Sequence, residues 1–261
     1  MDHSPENAGT LLDLTEREGV CPDHGQFVSR NLFRGRVWSK CPACEEVGAA
    51  KHAEAERIRM AREAEQRHAA MLHQARIPTR FIGRTFESFV AADEAQRHAL
   101  TTMQQFVARF DANSRKGAGL ILSGLPGTGK SHLVAAALQA LFPRDVAYMT
   151  CMDLIRGVRD TWRRDSERSE TQVLKYLECL DLLAIDEVGV QYGTDGEQTI
   201  LFDVLDRRYR EVRPTIILTN QDKAGLKKFI GERAYDRLTE TCVWVPFDWP
   251  SYRPQARREA A

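Results

Sequence analysis

Unbroken apolar runs alternate with helically spaced ones along the C-terminal two-thirds of the chain. Five short runs read as strands: Gly119-Leu120-Ile121-Leu122-Ser123, Val146-Ala147-Tyr148-Met149-Thr150, Leu182-Leu183-Ala184-Ile185, Thr215-Ile216-Ile217-Leu218-Thr219 and Val243-Trp244-Val245-Pro246-Phe247. Runs without a polar alternation mark strands covered on both faces, as in a parallel sheet. Between them the spacing turns to threes and fours. Leu100, Met103, Phe106, Val107 and Phe110 make one such face, and Ile200, Leu201, Val204 and Leu205 another. Further helices are predicted at His132–Leu138, Met152–Trp162, Gln172–Cys179 and Gly231–Leu238, the last carrying Arg233 and Arg237 on one face. Strands alternating with helices predict an α/β fold, a parallel sheet flanked by helices.

The pattern changes upstream. From Glu45 to about Ala75 the chain is dense in Ala, Glu, Arg and His, with few large apolar residues (Ile58, Met60, Met71, Leu72). That predicts a long, exposed helix ended by Pro78, foremost a solvated spacer and alternatively a partner-binding helix. Before it, Cys21 and His24 are followed by Cys41 and Cys44. Two short-spaced pairs across such a gap match zinc-ribbon or treble-clef spacing, and four ligands leave no open position, so the zinc would be structural. Between the pairs, Phe27-Val28, Leu32-Phe33 and Val37-Trp38 interleave with Arg30, Arg34, Arg36 and Lys40. This predicts a small hairpin with a basic side that either faces solvent or touches DNA. Residues before Val20 are expected to be poorly ordered, apart from a short helix around Leu11–Glu18, and the tail from Gln255 to be frayed. The expected domains are a zinc module over 1–48, a helical linker over 49–78 and an ATPase domain over 79–261.

Composition narrows the class. The 261 residues carry 37 basic and 37 acidic side chains, so any nucleic-acid contact must come from a local patch. The polar, acidic start is unlike a signal peptide and no stretch is long enough to span a bilayer, which predicts a cytoplasmic protein without membrane association. Three of the six cysteines cluster near the N-terminus; with nucleotide chemistry downstream, metal binding is favoured over disulfides.

The chemistry centres on Gly124-Leu125-Pro126-Gly127-Thr128-Gly129-Lys130-Ser131. Lying between a strand and a helix, it has the spacing and setting of a P-loop. Its glycines let successive N–H groups point at phosphate oxygens, and the helix adds its positive end. Lys130 is placed to reach the β- and γ-phosphates of ATP, and Ser131 to take a position on a magnesium ion. The Leu182 run ends in Asp186 and Glu187. Asp186 is expected to hold magnesium through water, and Glu187 to orient or deprotonate the attacking water. Asn220, after the Thr215 strand, is placed to touch both water and γ-phosphate, a weak signal by itself. The intervening Val146 strand suggests that the P-loop and acid-bearing strands are not adjacent, with an extra strand between them.

In order, Gly-Leu-Pro-Gly-Thr-Gly-Lys-Ser-His-Leu, Ile-Asp-Glu, Leu-Thr-Asn, Asp-Arg-Leu and Val-Pro-Phe-Asp-Trp-Pro-Ser-Tyr-Arg resemble the AAA+ ATPase domain of DnaC-type replicative helicase loaders and the related IstB transposase helpers. The likeness covers roughly Arg80 to Arg253. It implies that His132 belongs to the nucleotide-binding stretch and Asn220 is a sensor. It also implies that Arg237 is an arginine finger acting on ATP in a neighbouring subunit, that Arg253 has a second sensing role, and that no separate lid domain follows. The cysteine-bearing N-terminus resembles the zinc-containing helicase-binding module of some loaders, not the all-helical one of others. The leading expectation is an ATPase that loads a ring helicase onto single-stranded DNA and self-associates through its ATPase domain. A transposase helper and a zinc-dependent adaptor with little turnover are the alternatives.

Overall fold

The computed structural model describes residues 15–32, 36–190 and 194–254. The chain divides into two units, residues 1–67 and 68–261. In the first, β1 (Glu16–Cys21) and β2 (Gly25–Arg30) form an antiparallel pair with Glu16 opposite Arg30 and Cys21 opposite Gly25. The hairpin is thus earlier than the predicted one, and Glu16–Glu18, assigned to a short helix, is strand. Residues 11–14 of that expected helix lie outside the described residues. The reason is local. Pro22-Asp23-His24 supplies the turn, and Phe27 lies across Gly19, where a side chain on the glycine would collide with its ring. The predicted Phe27–Trp38 hairpin is present in part: Asn31 bridges Trp38, Leu32 donates its N–H to Val37 O and Ser39 donates its N–H to Arg30 O, both at 2.8 Å; Phe33 and Arg34 are outside the described residues.

Helix α1 (Pro42–Gln74) is the long polar helix and buries none of its residues. Pairs three and four apart, Glu54–Arg57, Glu56–Arg59 and Arg59–Glu63, support it in water, each worth a few tenths of a kcal/mol.

In the second unit, α2 (Glu94–Ala108) starts on a capping box between Asp93 and Gln96, and α3 (Phe110–Ser114) follows. The P-loop lies between β3 (Gly119–Gly124) and α4 (Lys130–Ala140). Next come β4 (Val146–Thr150), α5 (Cys151–Arg159), α6 (Glu170–Cys179) and β5 (Leu182–Val188). The chain ends through α7 (Asp195–Arg210), β6 (Thr215–Thr219), α8 (Lys223–Ile230), α9 (Glu232–Thr241) and β7 (Cys242–Phe247). The predicted tail from Gln255 lies outside the described residues.

The five strands of this unit are parallel, in the order β4-β5-β6-β3-β7. The P-loop and acid-bearing strands are therefore separated, as expected, but the strand between them is β6, and the Val146 strand on which that expectation rested lies at the edge. Alternate residues feed two cores: Leu120, Leu122, Leu182, Ala184, Ile216 and Leu218 pack with α2 and α4, while Ile121, Leu183, Ile185 and Ile217 pack with α5 and α7. Since the strands run the same way, the chain leaving β3, β5, β6 and β7 emerges at one edge, where ligands bind in open α/β sheets.

Candidate nucleotide and metal sites

Gly127 and Gly129 take φ of +81° and +97° in the P-loop, conformations costly for other residues. A Cβ on Gly127 would strike Ser251, and one on Gly129 would strike the Phe89 ring. The loop's carbonyls are tied from several sides. Tyr252 donates its N–H to Gly127 O at 3.0 Å and the Trp249 indole N–H donates to Thr128 O at 3.0 Å. Thr128 Oγ1 donates to Leu125 O. The residues after β7 thus form a strap against the loop.

Lys130 is buried and donates Nζ to Gly124 O, Leu125 O and Asn220 Oδ1 at 2.6, 2.8 and 3.0 Å. Burial pushes its pKa down to about 8; Asp186 opposes that shift and Arg253 adds to it. Ser131 Oγ donates to Asp186 Oδ2 at 2.9 Å, the Tyr148 hydroxyl donates to the same oxygen, and Asp186 Oδ1 accepts the N–H of Glu187 at 2.6 Å. Glu187 is exposed and held at φ +58° where the β5–β6 register shifts between Ile185 and Val188. That bulge turns the second acid out of the strand's alternation.

Of the predicted nucleotide residues, Lys130 is hydrogen-bonded to Asn220 and Ser131 to Asp186, and Glu187 is bonded to Asp186 through its backbone. Arg253 lies against Gly127. His132 faces Thr85 O and Ser88 Oγ, each 3.0 Å from Nε2, with Phe89 edge-on to its ring; burial lowers its pKa. Arg237 lies apart from these residues, on α9. It pairs with Asp206 and sits over the rings of Phe202 and Tyr209 at 5.0 and 5.3 Å. Sequence reasoning missed Tyr148, Trp249 and Ser251 as contributors: nothing in an apolar strand or a tail motif indicates which residue touches a distant loop.

A candidate metal site lies in the first unit. One ligand atom each from Cys21, His24, Cys41 and Cys44 lies within 4.8 Å of the others. Cys21 Sγ is 3.5 Å from Cys44 Sγ, and His24 Nδ1 is 3.5 and 3.3 Å from those sulfurs. Tetrahedral zinc with sulfur at about 2.3 Å spaces its ligands by roughly 3.8 Å, so the donor set fits. The backbone N–H of Asp23 and the His24 ring pull the Cys21 thiol down to about 6, while hydrogen bonding with Cys21 leads the rise of Cys44 to about 11. The clustered thiols thus resist losing all their protons without a cation. Among the described residues no helix is long and apolar enough to cross a membrane.

Comparison with known proteins gives the family. Residues 52–260 match the IstB-like ATP binding protein family. The replicative helicase loader DnaC of Escherichia coli K12 is 38% identical over 255 residues, 95% of this chain and 96% of that protein. A crystal structure of a DnaC helicase loader superposes with a TM-score of 0.59 and 25% identity, covering 65% of this chain and 99% of the other. The crystal structure of DnaI, at 21% identity and a TM-score of 0.55, shares the fold, with 67% and 93% covered. The chain belongs to the IstB-like ATP-binding family of AAA+ proteins, alongside the DnaC-type replicative helicase loaders.

Proposed function

We propose that this chain hydrolyses ATP and uses the cycle to deliver a replicative ring helicase to single-stranded DNA in the cytoplasm. The likeness to DnaC over 95% of the chain carries the loader reading, because it extends beyond the ATPase core. The P-loop N–H groups and the α4 N-terminus receive the phosphates. Lys130 exchanges loop carbonyls for β- and γ-phosphate oxygens, and Ser131 with Asp186 holds magnesium. When bound, magnesium neutralises phosphate charge and orients the γ-phosphate. Glu187 accepts a proton from the attacking water or orients it, while Asn220 links the γ-phosphate to β6. Arg237 is supplied to a neighbouring subunit's ATP, leaving Asp206 for the γ-phosphate, and Arg253 senses the same phosphates from the strap. Three cysteines and His24 hold one structural zinc, and that module docks the helicase.

The test is ATP turnover by the full chain with and without single-stranded DNA, beside transfer of a purified ring helicase onto that DNA. Glu187→Gln should retain ATP while losing turnover and release of the helicase. Turnover stimulated by DNA without helicase transfer, but with stimulation of a transposase, would favour the IstB-like reading. Nucleotide binding with no turnover under any condition would leave the adaptor reading.

A further inference from the structure

Asp186 carries more hydrogen bonds than a strand-end carboxylate needs, and one comes from a residue with no place in the P-loop pattern. Tyr148 lies on β4, the sheet's edge strand, whose register sets Tyr148 beside Ala184 and Thr150 beside Asp186. Residues two apart share a face, so Tyr148, Ala184 and Asp186 all look toward α4. The ring is buried with Leu133, Val134 and Ala137 of that helix, and its hydroxyl ends on Asp186 Oδ2. The strand is itself anchored: Tyr148 donates its backbone N–H to Ala75 O at 2.8 Å. Ser131 shares the same carboxylate oxygen.

We infer that Tyr148 is a positioning residue for the magnesium half of the nucleotide site, acting through Asp186. This rests on the ATP reading above and deepens it. A serine hydroxyl can offer the cation an oxygen lone pair while its proton stays directed at Asp186, so the Ser131 donor on Oδ2 is tied to the cation's own ligand. The Tyr148 hydroxyl is a second donor on that oxygen, independent of the cation. An O–H donated to a carboxylate fixes its plane, and a phenol keeps its proton throughout the neutral range. Orienting partners of this kind typically change metal affinity ten- to a hundredfold when removed.

Tyr148→Phe keeps the ring and deletes only the hydroxyl. Binding of a fluorescent ATP analogue is measured in EDTA and across a magnesium titration, with thermal midpoints as a check on folding. The expected result is unchanged affinity in EDTA and about a tenfold rise in the magnesium concentration giving half-maximal tightening. Asp186→Asn should shift the same titration, and Tyr148→Phe added to it should shift it little further, since a residue acting through Asp186 has nothing left to position. A magnesium response identical to wild type, an equal loss in EDTA, or full additivity with Asp186→Asn overturns the proposal. Binding by the wild type with no response to magnesium would overturn the ATP-site reading itself, and this inference with it.

Discussion

Raising the pH should weaken ATP binding through a single side chain. Burial, with Asp186 opposing and Arg253 assisting, brings Lys130 from 10.5 down to about 8 in the free protein. The phosphates require the protonated amine, so the bound form holds that proton more tightly than the free form. At pH 7 about nine-tenths of the free protein carries the charge, and at pH 9 about one-tenth. Affinity should therefore drop about tenfold over that interval, ~1.4 kcal/mol. A lysine at its ordinary value would leave it flat. The same shift has the opposite sign for the ligand-free fold. The unfolded chain holds more protons between about pH 8 and 10.5, so the Lys130 contribution to stability rises with pH across that window. Calorimetric titration with a non-hydrolysable ATP analogue, at saturating magnesium and fixed ionic strength, reads the affinity. Repeating it at pH 8.5 in buffers of different ionisation enthalpy reads the proton, with uptake of about three-quarters per nucleotide expected. Affinity constant to pH 9 with no proton uptake refutes the reasoning.

Three further outcomes follow from particular contacts. Arg208 is 1% exposed and donates to Leu177 O, Leu180 O, Pro214 O and Thr215 Oγ1; Arg208→Met should cost about 3–5 kcal/mol by orphaning those acceptors, and a loss below ~1 kcal/mol in urea unfolding would contradict this. Arg237→Ala should spare ATP binding but reduce turnover about a thousandfold, and mixing with Lys130→Ala should restore part of it; no recovery in any mixture would make the Asp206 pair structural. Elemental analysis of protein purified without chelators should give one zinc per chain, lost in Cys41→Ser, and metal-free wild type would refute the centre.

The legible parts were those carried by local pattern. The apolar runs around Leu120, Ala184 and Ile217 are central parallel strands because covering on both faces leaves no polar alternation. The P-loop was legible because its glycines, lysine and serine must stand at fixed spacing on one short piece of chain. The candidate ligands Cys21, His24, Cys41 and Cys44 were legible as two pairs. The interleaved apolar and basic residues suggested a hairpin over Phe27–Lys40, present in part around the Asn31–Trp38 bridge, while the Pro22-Asp23-His24 turn and the Phe27–Gly19 contact favour a longer pairing across Glu16–Arg30. Strand order was less accessible. That β6 separates β3 from β5 depends on how helices fill both faces, which no single strand records. Arg208 was invisible for a related reason: in sequence it is one of three arginines in the last turn of α7, and only packing makes it the one whose partners are backbone carbonyls.

Glu187 shows why site geometry needs more than motif residues. Adjacent residues on a regular strand point to opposite faces, so an Asp-Glu pair left in register would send its two carboxylates to opposite sides of the sheet. The register shift after Ile185 and the positive φ at Glu187 break that alternation. A left-handed conformation for a residue other than glycine costs about 1–3 kcal/mol, and two contacts here offset it. The Glu187 N–H donates to the Asp186 carboxylate, and Thr219 Oγ1 donates to Val188 O across the bulge at 2.6 Å. Thr219 directly precedes Asn220, whose side chain receives Lys130. The strand that separates the P-loop from the acids therefore does two things at once: it holds the bulge that aims Glu187, and it presents the amide that contacts Lys130. Movement of β6 relative to β3 would alter the Glu187 bulge and the Lys130–Asn220 contact together, so under the proposed ATP chemistry the strand order would couple phosphate contact to hydrolysis.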